Sequence, residues 1–310
     1  MLIVTNGQAA VAALERAGIP GDKLSWDDVL HDGPVPAGLG PQPLAEVRAR
    51  FLAGCGWGAE PAIRGKLRAR DERLTAAIVE GEDIVLWFEH DLYDQLQLLQ
   101  VLDRLVEAPA GVTLICRARY VAEETPDDLR RLFAHRSPAT EAQYRVARHA
   151  WGAFRSNAPE ELLRAARREA GPLPFLPAAL QRQLEEFPAV GTGLSRSEWQ
   201  ALHAVRTLGP RVLSRDLFRA AQRSEDPKYL GDASFDRYVA GLAGGPSPLL
   251  VRSDRDGTIA LTEYGMAVLE GRADWLEVRP IDRWIGGTHL RPPHVWRWDA
   301  DAATLIRTRA

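Results

Sequence analysis

Three short apolar runs, each flanked by stretches with helical spacing, constrain this chain more than any other feature. Residues 2–4 are apolar and end at Thr5-Asn6-Gly7. Residues 8–17, "QAAVAALERA", then place Val11, Leu14 and Ala17 on one helical face before Gly18 stops them. Residues 83–88 form a second run and lead into an amphipathic stretch over 92–106. Residues 112–116, "VTLIC", form a third. Residues 23–29, "KLSWDDV", read as a further strand, and residues 42–80 as two helices broken around "GCGWGAEP". Strands alternating with helices predict an α/β fold with a mostly parallel, Rossmann-like sheet and helices on both faces. Right-handed crossovers place every strand's carboxyl end on one edge.

Strand signals fade after residue 125. Residues 126–194 read as a helical linker region with a proline-rich joint, "GPLPFLP". Residues 195–276 then carry three helices, a hairpin turning at Asp256-Gly257 and a last helix. That order predicts a winged-helix-like domain. Ser195 and Glu198 have the spacing of a capping box at the first of these helices. Residues 277–310 form a tail rich in Trp, Arg and Pro. Its Trp284, Trp296 and Trp298 either stack on a ligand or pack across a domain. The expected division is therefore 1–125, 126–194, 195–276 and 277–310.

With 310 residues the chain suits about two domains. A net charge of −3 argues against a generally basic nucleic-acid coat. Cys55 and Cys116 are its only cysteines, too few for a thiolate metal cage. The opening "MLIVTNGQ" reads as a strand rather than a signal peptide. No stretch approaches the roughly 20 apolar residues of a membrane span, so a cytoplasmic protein is expected.

In open α/β sheets ligands bind outside the carboxyl ends of the strands, where the strand order reverses. Polar groups collect at those ends here. Asn6 and Gly7 form a tight turn that either holds an anion at a helix N-terminus or simply turns the chain. Asp27 and Asp28 precede "HDGP", in which His31 and Asp32 suit proton transfer, metal binding or a β-turn. Glu89, His90 and Asp91 are the strongest signal, with Tyr93 and Asp94 just behind and Gln95 on the same first helical turn. Histidine with carboxylates suits a divalent metal or an acid/base pair. Asp91 is also a good N-cap for the helix from Leu92, and Glu89 a partner for an arginine such as Arg70. Gln97 reads as surface. Arg68, Arg70, Asp71, Glu72 and Arg73 read as a solvated helix face. The last strand ends at Arg117. In the winged-helix region Arg211, Arg215, Arg219 and Arg223 recur every four residues, and Arg237 lies on the third helix. Arg252 and Arg255 in the hairpin are offset by Asp254 and Asp256, and Asp232 and Asp236 oppose phosphate.

The stretches "VTNGQAA", "SWDDVLHDGPVPAGL", "RDERLTAA" and "LWFEHDLYDQLQLLQ", with "LPFLPAALQRQLEEFP", "GLSRSEWQAL", "YLGDASF" and "RWIGGTHL" further on, resemble the bacterial proteins grouped as domain of unknown function 1835. The resemblance spans nearly the whole chain. It implies pocket positions rather than a reaction. The first turn in that family usually reads NGDS and the loop HEGP, whereas this chain has Gln8, Ala9 and Asp32. Ala9 offers no nucleophilic hydroxyl, Gln8 lacks an acid for a metal, and Asp32 keeps the charge with a shorter reach.

Two functional readings follow. In the first, the α/β domain binds a small nucleotide- or phosphate-like ligand through Asn6, Gly7, Asp28, His31, Glu89, His90, Asp91 and Tyr93. A winged helix then passes that state to DNA or a protein, as in transcriptional regulation, with Arg211, Arg215, Arg219 and Arg237 as nucleic-acid contacts. In the second, the chain is a metal-assisted hydrolase or transferase. Its catalytic groups are His31, Asp32, Glu89 and His90, and its ligands to a divalent metal are drawn from His31, Asp32, His90 and Asp91.

Overall fold

The computed structural model describes residues 1–106, 111–168, 171–253 and 255–309. The chain divides into two compact units, Met1–Leu180 with Gly286–Thr288, and Gln181–Ile285 with His289–Ala310. Most of the region expected as a linker, up to Leu180, therefore belongs to the first unit.

The first unit is α/β. Its elements are β1 (Leu2–Thr5), α1 (Gln8–Arg16), β2 (Asp22–Ser25), β3 (Gly33–Pro34), α2 (Pro41–Gly54), α3 (Glu60–Glu80), β4 (Ile84–Phe88), α4 (Leu92–Leu105), β5 (Val112–Cys116), α5 (Pro126–Ala134), β6 (Ser137–Pro138), α6 (Glu141–Arg155) and α7 (Glu160–Ala166). Five strands form a mixed sheet in the order β2-β1-β4-β5-β6. The first four are mutually parallel, and β6 pairs antiparallel to β5. Every residue of β1 and β4 is buried, as continuous apolar runs in a sheet covered on both faces require. On one face Ile3, Val85 and Trp87 pack with Ala10, Ala13 and Leu14 of α1 and Leu129 of α5. On α4, eleven of fourteen residues are buried, because the helix touches both β4 and α6.

Two expectations need correction. The strand expected over 23–29 stops at Ser25. Trp26 turns fully inward and its indole N–H donates to Gln100, while Asp27 takes a left-handed backbone with φ of 46°. The antiparallel edge strand β6 was not foreseen. Two residues carry no periodic signal, and a proline sits on an edge without breaking a ladder.

The second unit begins inside α8 (Leu176–Leu184) and continues with α9 (Arg196–Leu208), β7 (Val212–Leu213), α10 (Ser214–Ala221), α11 (Asp232–Ala243), β8 (Leu250–Arg252), β9 (Thr258–Leu261), α12 (Glu263–Leu269), most of β10 (Arg283–Gly286) and β11 (Thr288–Leu290), whose Gly286 and Thr288 belong to the first unit, β12 (His294–Asp299) and β13 (Thr304–Arg309). The capping box is present, with the Glu198 N–H donating to Ser195 Oγ at 3.2 Å and the Ser195 N–H to Glu198 at 2.7 Å. Strands β8 and β9 form the expected hairpin. Gly257 has φ of 66° at its turn, and β7 adds a third strand beside β9. The tail is more ordered than its composition suggested. It forms the antiparallel pair β12–β13, with Val295 and Trp298 buried.

An ionic cluster is buried in this unit. Arg182 grips Glu225 with two bonds of 2.8 and 2.9 Å and also bonds Glu186 and Ser197. Glu186 further accepts from Arg283 and the Tyr229 hydroxyl. Burial opposes ionisation of Glu186, but Arg182 and Arg283 outweigh it and hold the carboxyl at about 2.

Gly286 and Gly287 of "RWIGGTHL" have a packing reason. They lie against the end of α6, where the Gly287 N–H donates to Phe154 O. A Cβ on Gly287 would lie 1.7 Å from Arg155 O, which no side chain can occupy. Gly287→Ala should lower stability by about 3 kcal/mol. Gly152→Ala, at an open position in α6, should raise it by about 0.5–1 kcal/mol. Urea unfolding of the two variants checks both signs.

Candidate functional site

The first unit's strand order reverses between β1 and β4, since the chain leaves β1 toward β2 on one side and returns to β4 on the other. The ends of these two strands carry a buried carboxylate cluster. The apolar run of β4 stops at Glu89, and Asp91 caps α4 by accepting the Asp94 N–H at 3.1 Å. Asp94 then folds back. Its carboxylate accepts the Glu89 N–H at 2.7 Å and the Asn6 side-chain amide at 2.8 Å, which ties the end of β1 to the end of β4. Glu89 accepts the Val121 N–H at 2.6 Å, and Gln95 donates to the Glu89 carbonyl at 2.6 Å.

Glu89, Asp91 and Asp94 each place an oxygen within 4.8 Å of the others, and all three are buried. Among the described residues no arginine or lysine is bonded to any of them. Burial pushes Glu89 up to about 7, against the pull of the Val121 N–H and with help from the charge of Asp91. Burial likewise raises Asp91 to about 7. Burial, with the charges of Asp91 and Glu89, holds Asp94 well above the usual carboxylate range. Such a group keeps protons near neutrality or takes a cation in their place. Cys116 lies beside it, its Sγ 3.6 Å from the Glu89 carbonyl, and burial pushes its thiol up to about 12, which disfavours the thiolate.

The other expected residues are placed elsewhere. His90 packs on the rings of Tyr120 at 5.3 Å and Phe175 at 5.9 Å. His31 is buried edge-on to half-buried Tyr93 at 6.1 Å. Neither histidine joins the carboxylate group, and nor does Asp32. Asp28 and Asp32 lie in a loop clamped by a fully buried Arg48. Arg48 Nε donates to Asp28 at 3.0 Å, and its terminal nitrogens donate to the Asp32 and Val29 carbonyls at 2.7 and 2.8 Å. Gln97 is not surface: it is fully buried and donates to the Asp28 carbonyl. Nor is Arg70 a partner of Glu89. Arg70 lies over the Trp26 ring, bonds the Trp26 carbonyl and pairs with Asp71. Arg70 and Asp71 are buried, so this part of α3 is no solvated face. Arg117 is exposed.

Beside this edge lies a cavity of about 650 Å³. Leu24, Val29, Leu52, Trp57, Ile63 and Leu67 supply its apolar wall, and α2 and α3 form much of it. Gln8, Ser25, Asp27 and Lys66 add polar groups. Ser25 Oγ donates to Asp27 at 2.6 Å, and Gln8 Nε2 donates to the same oxygen at 3.2 Å. Asp27 Oδ1 lies against Gly7, where a Cβ would come within 3.1 Å of it. Gly7 is the N-cap of α1, so a carboxylate already stands beside the turn expected to hold an anion. Arg48 and Trp57 escape the sequence reading, and Asp94 appears there without a role. Its position three residues after a cap is the signal that could have assigned one.

In the second unit Arg215 and Arg219 stand exposed on α10, each near Asp216. The expected row of four is broken, since Arg211 precedes β7 and Arg223 follows the helix. Arg237 lines a cavity of about 360 Å³ with Tyr238, Arg279 and Arg283. Asp236 accepts from Ser214, and Asp254 lies outside the described residues. Among the described residues no helix is long and apolar enough to cross a membrane. No protein-family model matches the chain, and no curated protein matches it.

Two predictions follow from this geometry. Arg48→Met removes the closer cation from buried Asp28, leaving only Arg70 at 3.8 Å, and should cost about 3–5 kcal/mol in chemical denaturation. The second concerns pH. Folded Glu89 and Asp91 keep protons that the unfolded chain releases above pH about 4. Their stabilisation is therefore complete at low pH and is lost as pH rises through about 7. Glu186 has the opposite sign: its stabilisation is present above about 4.5 and lost as pH falls toward 2. The melting temperature should therefore be higher at about pH 5.5 than at about pH 8. Calorimetry of a Glu89→Gln/Asp91→Asn variant should show that difference flattened.

Proposed function

We propose that the first unit is a Rossmann-like small-molecule-binding domain and the second a winged helix that reports ligand state to DNA or a protein partner. The chain then belongs with the cytoplasmic bacterial proteins grouped as domain of unknown function 1835. The observation that carries the reading is the 650 Å³ cavity between the carboxyl end of β2, the start of α1 and the helices α2 and α3, apolar in its walls with a few polar groups. Its size and lining suit a small organic ligand. The order β2-β1-β4-β5 puts the reversal between β1 and β4, one strand in from the cavity, so the cavity is supported by its size and lining rather than by the switch point. Exposed Arg215 and Arg219 support a contact with phosphates, weakened by Asp216 between them.

The test is a thermal-shift screen with nucleosides, nucleotides and small aromatic compounds against the wild type and Leu67→Trp, which fills the cavity. A shift lost in the variant supports the reading. No shift with any compound overturns it. Titration of labelled duplex DNA of mixed sequence tests the second part, with Arg215→Glu/Arg219→Glu expected to weaken binding.

A second reading is favoured by one observation, the three converging oxygens of Glu89, Asp91 and Asp94. An all-oxygen donor set suits Mg²⁺, Mn²⁺ or Ca²⁺ rather than zinc. If the cluster binds a cation, Mn²⁺ should raise the melting temperature at about pH 8, where the carboxyls have lost their protons. Glu89→Gln should abolish the shift. Unchanged melting with all three ions counts against metal-assisted chemistry.

A further inference from the structure

Asp27 closes one side of the cavity in a way that restricts what the cavity can take. Its backbone is held left-handed at φ of 46°, a conformation that aspartate tolerates at some cost, and its N–H donates to the Asn6 carbonyl. The side chain is thereby held across the first turn against Gly7, where a Cβ would lie a tight 3.1 Å from its Oδ1. The partners of its carboxylate are neutral, the Ser25 hydroxyl and the Gln8 amide. The residue is exposed. Asp27 therefore presents a carboxylate with acceptor capacity to whatever enters. Hydroxyl donors satisfy it, and a phosphate placed against it is repelled. Arg70, the guanidinium on the cavity wall, is held by the Trp26 carbonyl and Asp71. The remaining wall is hydrocarbon, the half-buried indole of Trp57, which is a surface for a flat ring, and the Lys66 ammonium.

From this we infer that the cavity takes a neutral nucleoside, its base against Trp57 and the apolar wall and its vicinal sugar hydroxyls donating to Asp27. The inference rests on the ligand-binding reading of the same cavity and narrows it. It also alters that reading, because a free phosphate is not the recognised group.

The experiment uses the full-length protein and four probes: adenosine, 2′,3′-dideoxyadenosine, adenosine monophosphate and indole. Tryptophan fluorescence and calorimetry measure binding to the wild type, Asp27→Asn and Leu67→Trp. Asparagine keeps the left-handed backbone accessible, so Asp27→Asn should fold. Adenosine should bind the wild type, and the dideoxy compound should bind about tenfold more weakly or worse. Asp27→Asn should remove that difference by weakening adenosine alone, and Leu67→Trp should bind neither. Equal binding of adenosine and its dideoxy form overturns the role of Asp27. Monophosphate binding tighter than adenosine, with Lys66 as its counter-ion, overturns the neutral ligand. Binding of indole but not of adenosine, lost in Leu67→Trp, overturns the nucleoside class while the ligand-binding reading stands. No binding of any probe overturns both.

Discussion

The buried guanidinium of Arg48 is the interaction on which the first unit's functional edge depends. A charged group without solvent must have nearly all its donors satisfied, and Arg48 finds its partners in Asp28 and the carbonyls of Val29, Asp32 and Pro34. That requirement shapes the chain between β2 and α2. It fixes Val29 where it forms part of the cavity wall and sets α2 against the loop. Gln97 of α4 completes the arrangement at the Asp28 carbonyl. His31 and Asp32, which look reactive in the linear sequence, are thereby placed inside a structural knot.

A second constraint acts a few residues away. Asp91 and Asp94 serve the backbone, one capping α4 and the other accepting the Glu89 N–H, and both roles favour a carboxylate. Burying those carboxylates beside Glu89 without a bonded cation makes full ionisation unfavourable. The edge thus carries a charge tension that protons or a metal ion relieve. Asn6 takes part as a donor to Asp94, so its amide is spent on holding β1 to β4.

The second unit meets the same demand in another way. Arg182 is also buried, yet its partners are carboxylates, a hydroxyl and the face of Tyr229. Glu186 stays ionised there because two guanidiniums face it. Burial with paired charges depresses a carboxyl, and burial without them raises one. The contrast between Glu186 and Glu89 shows that composition alone does not set the state of a buried acid.

The sequence by itself determined the alternation of strands and helices, the break between α2 and α3, the Ser195–Glu198 capping box, the hairpin at Asp256-Gly257 and the cap at Asp91. Each of these rests on periodicity or on chemistry within a few residues. Tertiary structure alone decided which polar residues share a site. Asp94 joins Asn6 across 88 positions and Arg48 reaches Asp28 across 20, while the adjacent Glu89 and His90 diverge because successive residues leaving a strand face opposite ways. The cavity was equally hidden, since its wall comes from two helices and a strand end whose apolar residues read singly as core. Local pattern specifies elements, and the site emerges only when long-range packing sets which of their ends meet.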